Sequence, residues 1–298
     1  MVSPTTVAFI GCGNIGSALL TGMLDATRAA DTPPEKDFKF IVSTKTKASA
    51  NRLRETYTED AARVKFLVDD NVRAMNEAQV VFLAFPHNRV VDVLQSDGVW
   101  EALENKTVVS LLAGRTIRDL NYHLNNSNAC LPFIYRAVPD IAARVRKSIT
   151  IVQLLQTFPK DEYEHEHELV SSILRLVGKI KYVNKHEFNR WEMLGRASTA
   201  MMSVALDGIL DGCVAQGLKR KEALELVPQM LKGMVGLLKD GAHLAMLRED
   251  ISCPGGCAIE GLLKLEGHGA RSTFAKATVA GIKQAEAMDN KEDEWSEE

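Results

Sequence analysis

Two groups of residues in the N-terminal half have the types and spacing to bind a charged cofactor. Gly11-Cys12-Gly13-Asn14-Ile15-Gly16 fits the pattern Gly-x-Gly-x-x-Gly. It follows the apolar run 7–10 and opens a stretch that reads as a helix. In that context the first glycine permits a tight turn, the second lets backbone approach a pyrophosphate, and the third lets helix pack on strand. The helix N-terminus adds free N–H groups and a favourable dipole. Gly11, Gly13, Asn14, Ile15 and Gly16 are therefore the expected cradle of a dinucleotide. The end of the second strand reads cofactor type. An acidic residue there would hold ribose hydroxyls, but this chain has Ser43-Thr44-Lys45, then Lys47. Hydroxyls and a cation suit a 2′-phosphate through charge-assisted hydrogen bonds, so the expected cofactor is NADPH, with Ser43, Thr44 and Lys45 as its readers.

Other reactive types are less organised. Cys253 and Cys257, with His243 or His268, lack the second ligand pair of a zinc site, so no metal is expected. His165 and His167 lie in an acidic run that reads as a solvated helix face. His87 follows the fourth strand, where pocket lining and loop placement are equally open.

The elements that must position these residues alternate. Strands are expected near 7–10, 38–42, 64–68, 80–84, 107–111, 136–138, 148–154 and 179–183, with helices at 17–24, 47–57, 72–78, 88–103 and 162–177 between them. A polar, Pro-containing connection is expected at 26–37. Such alternation implies an α/β Rossmann domain with a mostly parallel sheet. Beyond about 187 the strand signal stops. Long apolar helical patterns follow at 193–214, 222–238 and 273–287, with a Pro-Gly loop at 252–256. Gly208, Gly212 and Gly217 are expected to let helices approach closely. The layout is a cofactor domain at 1–184 and an all-α domain at 185–298, whose acidic end 289–298 reads as disordered.

Of 298 residues, 46% are hydrophobic and 25% charged, with net charge −3. That composition supports a globular core and gives no bulk signal for nucleic acid or an anionic membrane. No apolar run reads as transmembrane and no secretory leader is evident, so a cytoplasmic location is expected. The five cysteines are odd in number and scattered, without a disulfide framework.

The C-terminal half carries a second signal. Ser252-Cys253-Pro254-Gly255-Gly256, then Glu260-Gly261-Leu262 and Leu265-Glu266, resembles the signature of pyrroline-5-carboxylate reductases. Residues 7–18, Phe82-Leu83-Ala84-Phe85-Pro86-His87, Val108-Val109-Ser110-Leu111-Leu112-Ala113-Gly114, Arg136-Ala137-Val138-Pro139-Asp140 and 207–217 resemble further segments of that family in the same order. The resemblance covers roughly residues 6–288. It implies hydride transfer from a nicotinamide cofactor to a cyclic imine carboxylate of the pyrroline or piperideine type. It also implies a homodimer formed through the C-terminal helices, and adds Phe85, Pro86, Ala113 and Pro139 to the cofactor contacts.

The chain departs from the family where chemistry should sit. The family's ring-nitrogen Thr is Ala258 here, its Ser before the Pro is Cys253, its Asn after the earlier Pro is Asp140, and its Lys before Pro86 is missing. Ala258 has no hydroxyl and Cys253 is a weak donor. The backbone N–H groups of Gly255 and Gly256, beside a helix N-terminus, remain able to hold a substrate carboxylate. Cys253, Gly255, Gly256 and Ala258 are thus expected at the substrate, with Ser198 and Thr199 as replacement hydroxyls. Ser252, Cys257 and Glu260 are the polar side chains available for catalysis. Two rival readings stand beside an imine reductase. A β-hydroxyacid dehydrogenase needs a Lys in the first inter-domain helix, and 188–205 contains none. A dinucleotide-binding protein without turnover would follow from loss of the hydroxyl at Ala258.

Overall fold

The computed structural model describes residues 4–28, 38–124, 132–154 and 160–293. The first half of the chain builds β1 (Thr5–Ile10), α1 (Asn14–Arg28), β2 (Phe38–Thr44), α2 (Lys47–Thr56), β3 (Val64–Val68), α3 (Asn71–Glu77) and β4 (Val80–Leu83). It continues through α4 (Val90–Leu94), α5 (Val99–Leu103), β5 (Thr107–Ser110), α6 (Ile117–Leu124), β6 (Phe133–Val138), β7 (Ser148–Gln153), α7 (Lys160–Arg175) and β8 (Gly178–Val183). The helical part comprises α8 (Phe188–Glu192), a π turn at Met193–Ala197, α9 (Ser198–Ala215), α10 (Arg220–Lys239), α11 (Leu244–Ile251), α12 (Cys257–Gly267) and α13 (Ala270–Asp293).

The eight strands form one sheet in the order β3-β2-β1-β4-β5-β6-β7-β8. Every pairing is parallel except β6 with β7. The side-chain alternation of β1 explains why helices cover both faces. Val7 and Phe9 enter one core with Leu19, Leu20 and Met23 of α1, while Ala8 and Ile10 enter the other with Met75 and Leu103. Phe9 and Phe82 stack at 5.0 Å between centroids across β1 and β4. Strand order reverses direction between β1 and β4, so the carboxyl ends of those strands face a crevice suited to a ligand.

Contacts divide the chain into two units: 1–196 with 282–298, and 197–281. The first has the buried core just described. In the second only Leu210 and Ala223 are buried hydrophobics, while Val204 and Leu226 are each 71% exposed. α9 packs chiefly along α10.

Several expectations need correction. The 26–37 connection begins inside α1, which runs to Arg28; positions 29–37 lie outside the described residues. The helical stretch expected at 88–103 is built as a 3-10 turn at His87–Arg89 followed by α4 and α5, separated where Gly98 adopts φ +78°. Of the acidic end, 289–293 belong to α13, which continues to Asp293, and Asp289 is held by ion pairing; 294–298 lie outside the described residues. The expectation of no membrane-length apolar segment also changes. The helix spanning Lys185–Ala215 is long and apolar enough to cross a membrane by length and composition, and 6% of its apolar window is buried. Finally, Gly208, Gly212 and Gly217 have nothing within 4 Å of where a Cβ would stand, so in one chain they bring no helices together.

Candidate active site

A cleft of about 680 Å³ opens at the carboxyl ends of β1, β2, β4 and β5. Its floor is the glycine loop. Gly11 adopts φ +79°, and a Cβ there would lie 2.8 Å from the carbonyl oxygen of Ala84, so only glycine makes this turn without strain. At Gly16 a Cβ would stand 3.3 Å from Ala84 Cβ, which sets the close approach of α1 to β4. Nothing lies within 4 Å of a Cβ at Gly13, leaving open space above the backbone. The loop is tied to β2 by Gly11 N–H donating to the Ser43 carbonyl at 2.8 Å. Cys12, between the glycines, points inward beside Ser17, and burial pushes its thiol up to about 11. The thiol therefore stays neutral at physiological pH and puts no negative charge beneath the glycine loop.

One end of the cleft is formed by β2 and α2. Lys45 lines it, with Thr46, Ser49, Arg52, Asp69 and Asn71. Ser43 and Thr44 border the cleft but do not offer their hydroxyls to it. Ser43 is fully buried and donates to Asn71 Oδ1 at 2.8 Å; Thr44 donates to the Thr46 carbonyl at 3.1 Å. The polar side chains that follow in sequence, from Lys45 to Arg52, are the ones that line this end of the cleft. Thr46 caps α2 by accepting from Ser49 N–H at 3.2 Å, which places the positive end of that helix at the cleft. Ser49 and Arg52, three residues apart, share one face of α2. Lys45 pairs with Asp69 at 2.8 Å, both groups being exposed. Arg52 escaped the sequence reading; its spacing from Ser49 behind a strand that ends in a cation is the signal that would have found it.

The other end is walled by Phe85, Pro86, His87, Arg89, Leu111 and Ala113. Arg115 Nε donates to the His87 carbonyl at 3.2 Å and its guanidinium pairs with Asp119 at 3.1 Å, which ties the β4 and β5 loops together. Eleven of the twelve expected cofactor contacts border this cleft: Gly11, Gly13, Asn14, Ile15, Gly16, Ser43, Thr44, Lys45, Phe85, Pro86 and Ala113. Pro139 is not among its walls; it is buried at the end of β6. The neighbouring Asp140 is structural. Its carboxylate accepts from Ala142 N–H at 2.7 Å and from Ile149 N–H at 3.1 Å.

The expected substrate residues belong to the helical unit. Ser252 closes α11, and its hydroxyl donates to the Arg248 carbonyl at 2.7 Å. Gly255 has φ +69°, and Gly256 is the N-cap of α12 without a side-chain capping bond. A Cβ at Gly256 would lie 2.4 Å from Cys253 Sγ, so the thiol lies directly over this turn. Cys253, Cys257 and Glu260 are exposed, and Ala258 is half-buried in the first turn of α12. Ser198 and Thr199 open α9 in the same unit.

The comparisons with known proteins agree with this division. Residues 186–288 match the family described as pyrroline-5-carboxylate reductase dimerisation. Residues 6–114 match the family described as NADP oxidoreductase, coenzyme F420-dependent. The chain is 30% identical to a pyrroline-5-carboxylate reductase of Lophium arboricola, with 92% of this chain and 90% of the relative covered. It is equally identical, over the same shares, to one from Neurospora crassa. Among solved structures, a Plasmodium falciparum pyrroline carboxylate reductase with NADP bound has the same fold, with TM-score 0.79 at 20% identity over 96% of this chain and 98% of that one. The Streptococcus pyogenes enzyme gives TM-score 0.77 at 20% identity over 95% of this chain and 99% of its own. A nicotinamide-cofactor cleft built on a glycine loop, an apolar helical unit matched to a dimerisation family and full-length relatives of one kind lead to one conclusion: the chain belongs to the pyrroline-5-carboxylate reductase family of NAD(P)H-dependent oxidoreductases that act on a C=N bond.

Proposed function

We propose that this protein is an NADPH-dependent reductase of a cyclic imine carboxylate, with pyrroline-5-carboxylate as its first substrate, acting as a homodimer. The observation that carries the cofactor choice is the cationic edge of the cleft. Lys45, Arg52, Ser49 and the N-terminus of α2 converge where the second strand ends, so a 2′-phosphate would meet charge-assisted donors there. Asp69 shares that edge but is already paired with Lys45. The glycine loop would hold the pyrophosphate, and Phe85, Pro86 and Ala113 would flank the nicotinamide.

The cofactor, when bound, supplies the hydride; the chain supplies position and charge control. The N–H groups of the first turn of α12, reached through the Pro254-Gly255-Gly256 turn, would hold the substrate carboxylate without a side chain. Ala258 offers the ring nitrogen no hydroxyl, so its proton must come from another group or from water. Substitution at this position favours a pocket more tolerant of ring size, and piperideine-6-carboxylate belongs to the same reading. The homodimer is supported by the apolar faces of α9 and α10, whose exposed Val204 and Leu226 and open glycines await a covering surface. That same covering accounts for the apolar Lys185–Ala215 helix, which lies within the segment matched to the dimerisation family. A cytoplasmic location is part of this reading, supported by the free thiols of Cys12, Cys213, Cys253 and Cys257.

The test is NADPH oxidation with pyrroline-5-carboxylate and piperideine-6-carboxylate offered separately. Turnover of pyrroline-5-carboxylate is the expected outcome. NADPH binding with no turnover of either compound would favour a protein that keeps the cofactor site without the reductase activity.

A further inference from the structure

The C-terminal end of α13 is fixed to the sheet by an ion-pair cluster that the cofactor cleft has not so far required. Arg136 of β6 is 3% exposed and pairs with both carboxylate oxygens of Asp289, at 2.8 and 2.9 Å. Asn189 Nδ2 donates to the same carboxylate at 3.0 Å, and the Arg136 guanidinium lies 4.2 Å over the Phe188 ring. A bidentate guanidinium–carboxylate pair with a ring on one face fixes orientation as well as charge. Both partners lie in the first structural unit.

The residue before Asp289 shows what the cluster holds in place. Met288 lies against Gly114, where a Cβ would stand 2.9 Å from Met288 Cβ and 3.0 Å from its terminal methyl. Gly114 has φ +67° and follows Ala113, a wall of the cleft. In the sheet register Arg136 is paired with Ser110, one residue before Leu111, another wall. Through the strand pairing at Ser110 and the methionine contact at Gly114, α13 is thus linked to both ends of the segment that carries Leu111 and Ala113. This loop belongs to the β4–β5 half of the crevice, opposite the β2 end.

We infer that Asp289 is a positioning residue for the cofactor: through Arg136 and Met288 it sets the β5 loop that flanks the nicotinamide half of the dinucleotide. The inference rests on the cofactor reading proposed above. It makes the last turns of the chain part of a site whose fingerprint lies at the first residues.

The experiment compares the full-length protein with its Asp289→Asn, Met288→Ala and Lys283→Ala variants, the last a change at an exposed position of the same helix. Each is titrated with NADPH and with 2′,5′-ADP, which carries only the adenosine half, and Tm is recorded. Asp289→Asn is expected to weaken NADPH binding by about tenfold, the order of one lost hydrogen bond to a charged group. Binding of 2′,5′-ADP stays unchanged, and Lys283→Ala changes neither ligand. Met288→Ala keeps the ion pair and should show the same pattern at about threefold, so the test stands even if Asp289→Asn fails to fold. Equal weakening of both ligands, or no change in either beside a lowered Tm, would overturn the inference and leave the cluster a purely structural tie. A wild-type protein that binds neither ligand would overturn the cofactor reading itself.

Discussion

The two structural units solve the burial problem differently. In the first, β1 and β4 bury every side chain from Val7 and Val80 onward, and helices cover both faces of the sheet within one chain. In the second, α9 to α12 and the start of α13 leave Val204, Ile209, Leu226 and Leu263 each more than half exposed, with Leu210 and Ala223 the buried hydrophobics. Covering a single such side chain contributes roughly 1.5–3 kcal/mol. A unit with this many uncovered ones, within a segment matched to a dimerisation family, would gain stability from association if the homodimer proposed above forms. On the reading proposed above, the cofactor cleft is complete within one chain, whereas the helical unit is built to be covered by a second copy.

The strongest way to break this comparison is to charge the helical face. Val204→Asp combined with Leu226→Asp should weaken the proposed assembly by about a thousandfold, taking roughly 2 kcal/mol for each apolar side chain replaced by a carboxylate on the face to be covered. Light scattering should report a monomer. The first unit should still bind 2′,5′-ADP with wild-type affinity, and loss of that binding in a monomer would show that the units are not independent in this respect.

Within the first unit, Lys45→Ala with Arg52→Ala should lower the preference for NADPH over NADH by at least about tenfold, since hydrogen bonds to charged groups contribute roughly 1.5–3 kcal/mol each. Assembly should be unaffected. An unchanged preference, read from kcat/KM with each cofactor, would move 2′-phosphate recognition away from the β2–α2 edge.

The smallest effect concerns thiols. Burial raises the Cys12 pKa to about 11, so below that pH the group stays protonated and is a poor nucleophile. At pH 8 iodoacetamide should label exposed Cys253 and Cys257 and spare Cys12, as read by peptide mass mapping. Labelling of Cys12 at that pH would mean that the glycine loop opens in solution.

The glycine loop was legible in sequence because its signal is local: a strand, a tight turn and a helix within a dozen residues. The parallel sheet was legible for the same reason, through alternation. Ser43 and Thr44 do border the cleft, but that their hydroxyls donate to Asn71 and Thr46 was not legible, because sequence places them at the strand end without saying which way the pleat turns them. Arg52 was missed because it joins the cleft only once α2 is docked. The Arg136–Asp289 pair spans 153 residues, and nothing in an acidic terminal run distinguishes a solvated Asp from one that pairs with a buried Arg. The helical unit was legible as helices, but its glycines were read as helix contacts when, in one chain, they face open space.

The most direct test of the account is a hydride-transfer measurement. NADPH carrying deuterium at the transferring position is incubated with pyrroline-5-carboxylate and the protein, and the product is analysed by mass spectrometry and NMR. The account predicts proline with one deuterium on the former imine carbon. Proline formed without the label, or no product from a protein shown to bind NADPH, would contradict it.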